Sequence, residues 1–193
     1  MRILVLFFLA ALTLFSSSCS RRVVRISPDQ QVDISGRWNN TDSRLVAEQM
    51  TGDILRADWI TEHQQTKTVK PVVIVGMVAN KSHEHIEAET FVKDVESSFI
   101  KSEKVRLVQG GKKREELRAE KADMQTNATS ASMKKFGLEQ GADYILQGSI
   151  NSIVDQHKRD RVVYYKVNLE LTNIETNEVV WIGEKEIAKK VTN

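Results

Sequence analysis

The sequence predicts an α/β (α+β) fold, in which a single mixed β-sheet with flanking helices closes in a C-terminal antiparallel meander. Two observations predict the sheet. Residues 72–78 form a continuous, mostly β-branched run, and residues 142–154, 161–174 and 179–182 place strand-like segments between short polar turns. A third observation predicts the helices, because residues 88–102 repeat apolar side chains at helical spacing. Helices among the early strands, followed by consecutive strands, indicate helices packed on a mixed sheet.

The first helix is expected to begin near Asp42 or Ser43, since either side chain can cap the first backbone amides. It is expected to end near Trp59 and Ile60. Its apolar stripe recurs at spacings of three to five residues and comprises Leu45, Val46, Met50, Ile54 and Leu55. The polar residues 61–70 are expected to form a loop before the first strand.

The first strand is expected to span residues 72–78 and to be buried on both faces, as in a sheet that carries helices. A second helix is expected over 88–102, with an apolar face at i, i+4 and i+8 formed by Phe91, Val95 and Phe99. Residues 105–108 then predict a short strand.

The second half of the chain predicts two more helices and the meander. Residues 112–124 are highly charged and predict an exposed helix. A further helix over 130–140 is expected to end at Gly141, a residue type suited to the position just past a helix. In the meander, Gly148 is expected to permit close packing, and residues 184–190 are expected to extend the last strand.

The composition excludes some classes of function. The formal net charge is +2, from 28 basic and 26 acidic residues, and this near-balance argues against nucleic acid as a partner. Because the 193 residues include one cysteine, the core must be held without disulfides.

The N-terminus has the pattern of a bacterial lipoprotein signal. Arg2 precedes an apolar run over 3–15, three small serines follow, and Cys19 comes next. The run of about 13 residues is shorter than the roughly 20 that span a bilayer. We expect lipidation of Cys19, which also explains a single exported cysteine without a partner. The alternative is an ordinary secretory signal that contains a cysteine, because Ser16 stands where lipoprotein signals usually carry leucine.

This pattern predicts three regions. Residues 1–18 are the signal peptide, 19–36 are the lipidated cysteine and a flexible tether, and 37–193 are the periplasmic domain. The tether is basic and polar and contains Pro28. At roughly 3.3–3.6 Å per residue, its 17 residues after the cysteine reach at most about 60 Å.

The sequence contains no recognisable catalytic constellation. It has no Gly-x-Ser-x-Gly elbow, no Gly-x-Gly-x-x-Gly loop and no Walker loop. His83 and His85 flank Glu84 and could ligate zinc, but they lack the spacing of a His-Glu-x-x-His helix. His63 and His157 fit no ligand pattern. We favour a polar surface loop here, with no metal, no cofactor and no enzyme activity.

The three tryptophans are candidate anchors. Trp59 and Trp181 are expected in the core or at its edge. Trp38, at the junction of tether and domain, marks a protein contact if its ring is exposed, because tryptophan is enriched at binding hot spots.

Several segments taken together resemble the LpoB family of penicillin-binding protein activators. They occur in the family's order, cover about residues 36–187, and comprise Gly36–Arg44, Asn80–Ile86, Gly141–Gly148, and Leu171–Thr176 leading into Trp181–Gly183.

The resemblance implies an outer-membrane lipoprotein, acylated on Cys19, whose monomeric periplasmic domain is similar to the N-terminal domain of TolB. It also implies that the domain binds a bifunctional penicillin-binding protein and stimulates its glycan polymerisation and peptide cross-linking, without an active site of its own. For the contact surface we single out Trp38 together with a loop comprising Asn80, Lys81, Ser82, His83, Glu84 and His85.

The tether departs from the enteric pattern, in which it is long and rich in proline and glutamine, so the identity of the synthase stays open. Two other functions also stay open. One is a structural or secretion-associated envelope lipoprotein related to the curli secretion lipoprotein, although a pore-former would need additional amphipathic hairpins. The other is an enzyme or metal-dependent binder centred on His83 and His85.

Overall fold

The computed structural model describes residues 23–27, 30–127 and 139–192. The chain divides into two units, Met1–Gln30 and Gln31–Asn193. In the first unit, residues 23–27 carry no regular secondary structure. The second unit contains every helix and strand described below.

The second unit contains a five-stranded sheet and four described helices. The helices are α1 (Asn40–Ile54), α2 (Trp59–Thr66), α3 (Ala88–Ser102) and α4 (Gly111–Asn127). The strands are β1 (Val72–Lys81), β2 (Arg106–Leu107), β3 (Tyr144–His157), β4 (Asp160–Asn173) and β5 (Val179–Val191).

The strand order is β2-β1-β3-β4-β5. Strand β1 is parallel to both β2 and β3, and β3, β4 and β5 form antiparallel pairs. The predicted mixed sheet and C-terminal meander are therefore confirmed. The last strand continues to Val191, as expected for residues 184–190.

The predicted cap of the first helix is wrong by three to four residues. The N-cap is Asn39, whose side chain accepts hydrogen bonds from the backbone of Thr41 and Asp42. Asp42 completes a capping box by accepting the Asn39 N–H at 2.9 Å. Ser43 is not a cap and instead donates to the carboxylate of Asp94 at 2.9 Å.

The predicted single helix ending near Trp59 and Ile60 is also wrong, because the chain turns after Ile54 and a second helix begins at Trp59. The indole N–H of Trp59 donates to the carbonyl of Ile54 at 2.7 Å, and Lys104 Nζ donates to the carbonyl of Leu55 at 3.1 Å. These side chains add hydrogen bonds to carbonyls at the end of α1, where the Ile54 carbonyl also accepts the Ala57 N–H at 3.3 Å. The predicted loop over 61–70 is accordingly helical as far as Thr66.

The amphipathic helix α3 and the charged helix α4 agree with the prediction where they are described. Helix α3 has the predicted bounds, and its predicted apolar face of Phe91, Val95 and Phe99 is buried. Helix α4 has no buried residue, as expected for an exposed charged helix. The helix predicted over 130–140 lies almost wholly outside the described residues, and Glu139 and Gln140 are not helical.

The core lies between one face of the sheet and helices α1 and α3. Its largest fully buried side chains are Trp59, Tyr165, Phe91, Phe99 and Met50. Trp181 is partly buried and packs against the same core, so both tryptophan predictions are confirmed. Gly148 also has the expected role, because a Cβ there would lie 2.1 Å from the carbonyl oxygen of Asn168.

The prediction that β1 is buried on both faces is wrong. Val73, Val75 and Val78 are buried, but Ile74 is only half-buried and Met77 is 72 % exposed. The two core helices cover one face only, and a register shift between Val75 and Val78 interrupts the alternation of the strand.

Candidate partner-binding surface

The loop between β1 and α3 is shaped by its own side chains. The Asn80 side-chain amide donates to the carbonyl of Glu84 at 2.9 Å. Its carbonyl oxygen accepts the backbone N–H of Ser82 at 2.9 Å and the Ser82 hydroxyl at 2.7 Å. Such local bonds are typical of asparagine and serine in turns. Asn80 and Ser82 therefore support the loop rather than present its surface.

Glu84 turns inward and joins the loop to Trp38. Its side chain is 11 % exposed, and its carboxylate accepts the backbone N–H of Trp38 at 3.0 Å and the hydroxyl of Tyr165. The Trp38 N–H also reaches the Tyr165 oxygen at 3.1 Å, and the two rings meet edge to face with centroids 5.6 Å apart. Burial, and then the bond to Glu84, raise the pKa of the Tyr165 phenol. The structure thus brings together Trp38 and the loop, as the proposed contact surface requires.

Four cationic or imidazole side chains are exposed around this network, and we call them the loop rim: Arg37, Lys81, His83 and His85. Two of them contact the network, since Arg37 Nε lies 3.8 Å from the Glu84 carboxylate and the His83 ring stacks on Tyr165 with centroids 6.4 Å apart. His83 is held by Ser152, whose hydroxyl lies 2.9 Å from its N–H and 2.6 Å from its Nδ1. The His85 side chain is 84 % exposed and that of Arg37 is 71 % exposed. Lys81 is exposed and makes no ion pair with any described residue. The rim is therefore a surface that a partner can reach.

A second polar cluster fixes the segment that precedes Trp38. Lys189 is buried on β5, and its ammonium lies 2.5 Å from both Asp33 Oδ1 and Asp42 Oδ2. It also donates to the carbonyl of Arg37 at 2.9 Å. The bond to Lys189 lowers the pKa of Asp33. Residues 33–37, which the sequence assigns to the tether and the first residue of the domain, are thereby held against α1 and β5.

Gly36 is required in this junction for two reasons. Its φ of +67° is a conformation that favours glycine, and a Cβ would lie 2.3 Å from Cγ2 of Val191. The junction therefore crosses the end of the last strand at a distance that excludes any side chain at this position.

The two loop imidazoles do not converge on a common point. His83 faces Ser152, whereas His85 Nε2 lies 2.5 Å from the carboxylate of Glu87. Within residues 23–27, 30–127 and 139–192, no group of three histidine, cysteine or acidic side chains is placed to hold a metal. In the same residues, no helix is both long and apolar enough to cross a membrane. Cys19 lies outside the described residues.

Sequence reasoning missed three residues that hold this surface together, namely Tyr165, Ser152 and Lys189. Tyr165 and Ser152 gave no signal, because each occupies an ordinary position in an alternating strand. For Lys189 the sequence does contain a weak signal. It shares the parity of Trp181 and Ile187, which pack against the core, and a lysine on the inward face of a strand implies a buried partner.

Comparison with known proteins identifies the family. The chain matches the model of the peptidoglycan-synthase activator LpoB over residues 42–187. Its fold is similar to the LpoB C-terminal domains of Escherichia coli (18 % identity, TM-score 0.45) and Salmonella enterica (16 %, 0.44), each over 76 % of this chain and 98 % of that one. The solution structure of E. coli LpoB is matched at 15 % identity and a TM-score of 0.42, over 92 % of this chain and 87 % of its own. A search of curated proteins finds no match. Because the family model spans most of the chain, the protein belongs to the LpoB family of peptidoglycan-synthase activators, which are regulators and not enzymes.

Proposed function

We propose that this protein is a lipoprotein of the outer membrane, acylated on Cys19, that binds and stimulates a bifunctional penicillin-binding protein from the periplasmic face. Membership of the LpoB family is the observation that carries the proposal. In this proposal the domain acts as a monomer. It needs no cofactor, because a binding surface requires complementary shape and charge rather than catalytic groups.

The loop rim is the contact surface that we propose. Its supports are internal to the domain, since Asn80 shapes the loop and Glu84 ties it to Tyr165 and to the backbone of Trp38. A loop held in this way loses little conformational freedom on binding, and this favours affinity. Trp38 contributes mainly as a support, because its ring is half-buried against Tyr165.

Stimulation follows from unequal binding to two states of the synthase. A regulator that binds the active conformation more tightly than the inactive one raises the population of the active conformation. The effect on activity is then limited by the ratio of the two affinities. No proton or group transfer by this chain is required.

The surface is tested with two matched double variants. Lys81→Ala with His85→Ala removes one cation and one imidazole from the loop rim. His157→Ala with Arg159→Ala does the same at the exposed β3–β4 turn. This turn lies about 20 Å farther along β3, at roughly 3.3 Å per residue from the register partner of Lys81.

We expect the first variant to lose binding to a purified bifunctional penicillin-binding protein and to lose stimulation of glycan polymerisation, with an unchanged melting temperature. The control should retain both. Equal binding by the two variants would show that the face is wrong. Failure of the unsubstituted protein to bind or stimulate the synthase would reject the function itself.

The anchor is tested separately. Mass spectrometry of the mature protein should show an acylated Cys19, and Cys19→Ser should move the protein from the membrane fraction to the soluble periplasm. An unmodified thiol would favour the ordinary secretory signal. A pull-down that recovers secretion components instead of a penicillin-labelled protein would favour the secretion-associated alternative.

A further inference from the structure

The face of the sheet that is turned away from the core helices carries an apolar row near the β3–β4 turn. Ile153 is the register partner of Tyr164, and Tyr164 is that of Ala188, so the row crosses three strands. Successive residues of a strand lie on opposite faces, and Val163 and Tyr165 are buried in the core, so the row points away from it. Ile153 is 69 % exposed and Tyr164 is 44 % exposed. The row is therefore apolar surface that no described helix covers.

The row lies beside the hairpin tip, which we define as residues 155–161. Residues 153–160 are all exposed. On the tip and next to it, four basic side chains stand against two acidic ones, namely Lys158, Arg159, Arg161 and Lys190 against Asp155 and Asp160. No salt bridge among the described residues involves any of these six. The patch ends on its other side at a polar row, in which Lys166 lies 2.6 Å from Glu184 and 3.5 Å from Glu186. The exposed apolar row is thus flanked by a surface with excess positive charge.

The chain enters the domain at the same end of the sheet. Gly36 lies against Val191, whose register partner is Arg161, the last residue of the hairpin tip. Ile34 lines a cleft together with the last residues of β5, and its side chain is 92 % exposed. A lipid on Cys19 would therefore be joined to the domain at the end that carries the tip.

This connection makes weak binding to the anchoring membrane sufficient. About 13 residues separate Cys19 from Val32, where the chain is first held, and they extend at most roughly 45 Å. A domain confined by a short linker has an effective concentration on the order of millimolar. Exposed apolar groups flanked by bases suit the surface of an anionic bilayer, because the apolar groups enter the interface and the bases meet lipid phosphates. Tyrosine in particular is enriched at membrane–water interfaces.

We propose that the hairpin tip and the apolar row beside it contact the anionic surface of the membrane that holds the lipid anchor. Ile153 and Tyr164 enter the headgroup region, and the bases of the tip lie next to lipid phosphates. The proposal rests on one part of the proposed function, the lipid on Cys19, and does not require the synthase. Ser152, which holds His83, points to the opposite face of the sheet from Ile153, so the loop rim stays accessible to a partner.

The test attaches the lipid chemically, so its outcome depends neither on acylation in the cell nor on the synthase. The mature chain from Cys19 carries one thiol, which is coupled to a maleimide lipid in nanodiscs of phosphatidylcholine and phosphatidylglycerol. Isoleucine methyl groups are labelled with ¹³C, and a lipid with gadolinium on its headgroup broadens the signals of methyl groups near the bilayer.

We expect the Ile153 signal to be lost and the Ile182 signal to remain. The two side chains form a matched pair, since both lie on the outer face and they are 69 % and 65 % exposed. Ile182 lies in the row of Gln147, six residues before Ile153 on β3, and this separates the two rows by about 20 Å.

Charge-reversed variants test the hairpin tip. Lys158→Glu with Arg159→Glu should restore the Ile153 signal, because each base near an anionic surface changes binding by about fivefold. Lys70→Glu with Lys101→Glu makes the same change of net charge at exposed positions outside the patch and should leave the signal lost.

Four results would overturn the proposal. They are an Ile153 signal that survives in the unsubstituted chain, equal broadening of Ile182, and a charge-reversed tip that behaves like its control. The fourth is a shift of the Ile153 signal with protein concentration in the absence of lipid, which would assign the apolar row to a second copy of the chain.

Discussion

Substitution of Lys189 by methionine tests whether the buried ion cluster stabilises the domain. The Lys189 and Asp42 side chains are each 7 % exposed, and Lys189 Nζ lies 2.5 Å from Asp42 Oδ2. Methionine keeps most of the side-chain volume but leaves the Asp42 carboxylate buried without its cation. Removing one partner of such a pair costs about 3–5 kcal/mol.

We expect the lower end of this range, about 3 kcal/mol, for two reasons. Asp42 keeps one hydrogen bond, from the backbone N–H of Asn39 at 2.9 Å. Asp33, the other carboxylate of the cluster, is 54 % exposed and can be solvated when the ammonium is lost. With a urea dependence of about 2 kcal/mol per molar, the unfolding midpoint should fall by about 1.5 M.

The assay is urea unfolding followed by tryptophan fluorescence, with Lys190→Met as the control on the adjacent, exposed position. The control should change the free energy of unfolding by less than about 0.5 kcal/mol. Adding Asp42→Asn to Lys189→Met should recover part of the loss, because the uncompensated charge is removed. A loss under about 1 kcal/mol for Lys189→Met, or strict additivity of the two substitutions, would refute the reasoning.

Three further predictions concern other parts of the domain. Tyr165→Phe should destabilise it by about 1–3 kcal/mol and alter tryptophan fluorescence, because a carboxylate and a backbone N–H lose their shared hydroxyl; unchanged spectra and stability would contradict this. Gly148→Ala should destabilise by more than about 2 kcal/mol through overpacking against β4, whereas Gly141→Ala, which has open space, should not; equal melting temperatures would exclude the clash. Burial works to raise the pKa of Asp143, but its bonds to Lys67 and to a backbone N–H outweigh burial and hold the pKa below its ordinary 3.8. The resulting stabilisation is present above the unfolded-state pKa and is lost as the pH falls through the folded-state pKa. Asp143→Asn should therefore weaken the dependence of the urea midpoint on pH between about 5 and 2. An unchanged dependence would refute this.

The helices that the sequence predicts well are those whose ends are set locally. Helix α3 has a regular apolar repeat, and its bounds agree with the prediction. The break between α1 and α2 was missed because the apolar stripe continues through it, and because one of the side chains that bond to carbonyls there, Lys104, lies 49 positions from its partner Leu55. The cap was missed because Asn39 lies before the apolar stripe, while Asp42 acts as the third residue of the capping box.

The sequence singled out the loop as a candidate contact surface, but it did not show which loop side chains support the loop and which are exposed. Asn80, Ser82 and Glu84 look equally available in the sequence, yet the structure uses them as supports and leaves Lys81 and His85 outside. Glu84 turns inward because Tyr165, 81 positions later, offers a hydroxyl beneath the loop. A contact at that separation leaves no local pattern in the chain.

The junction before Trp38 limits the distance that could separate the domain from a lipid on Cys19. From Val32 onward the chain is held by the domain, since Asn39 Nδ2 donates to the Val32 carbonyl at 3.4 Å and to Asp33 at 2.7 Å. If Cys19 carries the lipid, about 13 residues separate it from this held segment, and they can extend at most roughly 45 Å rather than 60 Å. Under the proposed function, a synthase in the opposite membrane would then have to project most of the way across the periplasm, and lengthening this segment should relax that demand without altering the proposed contact surface.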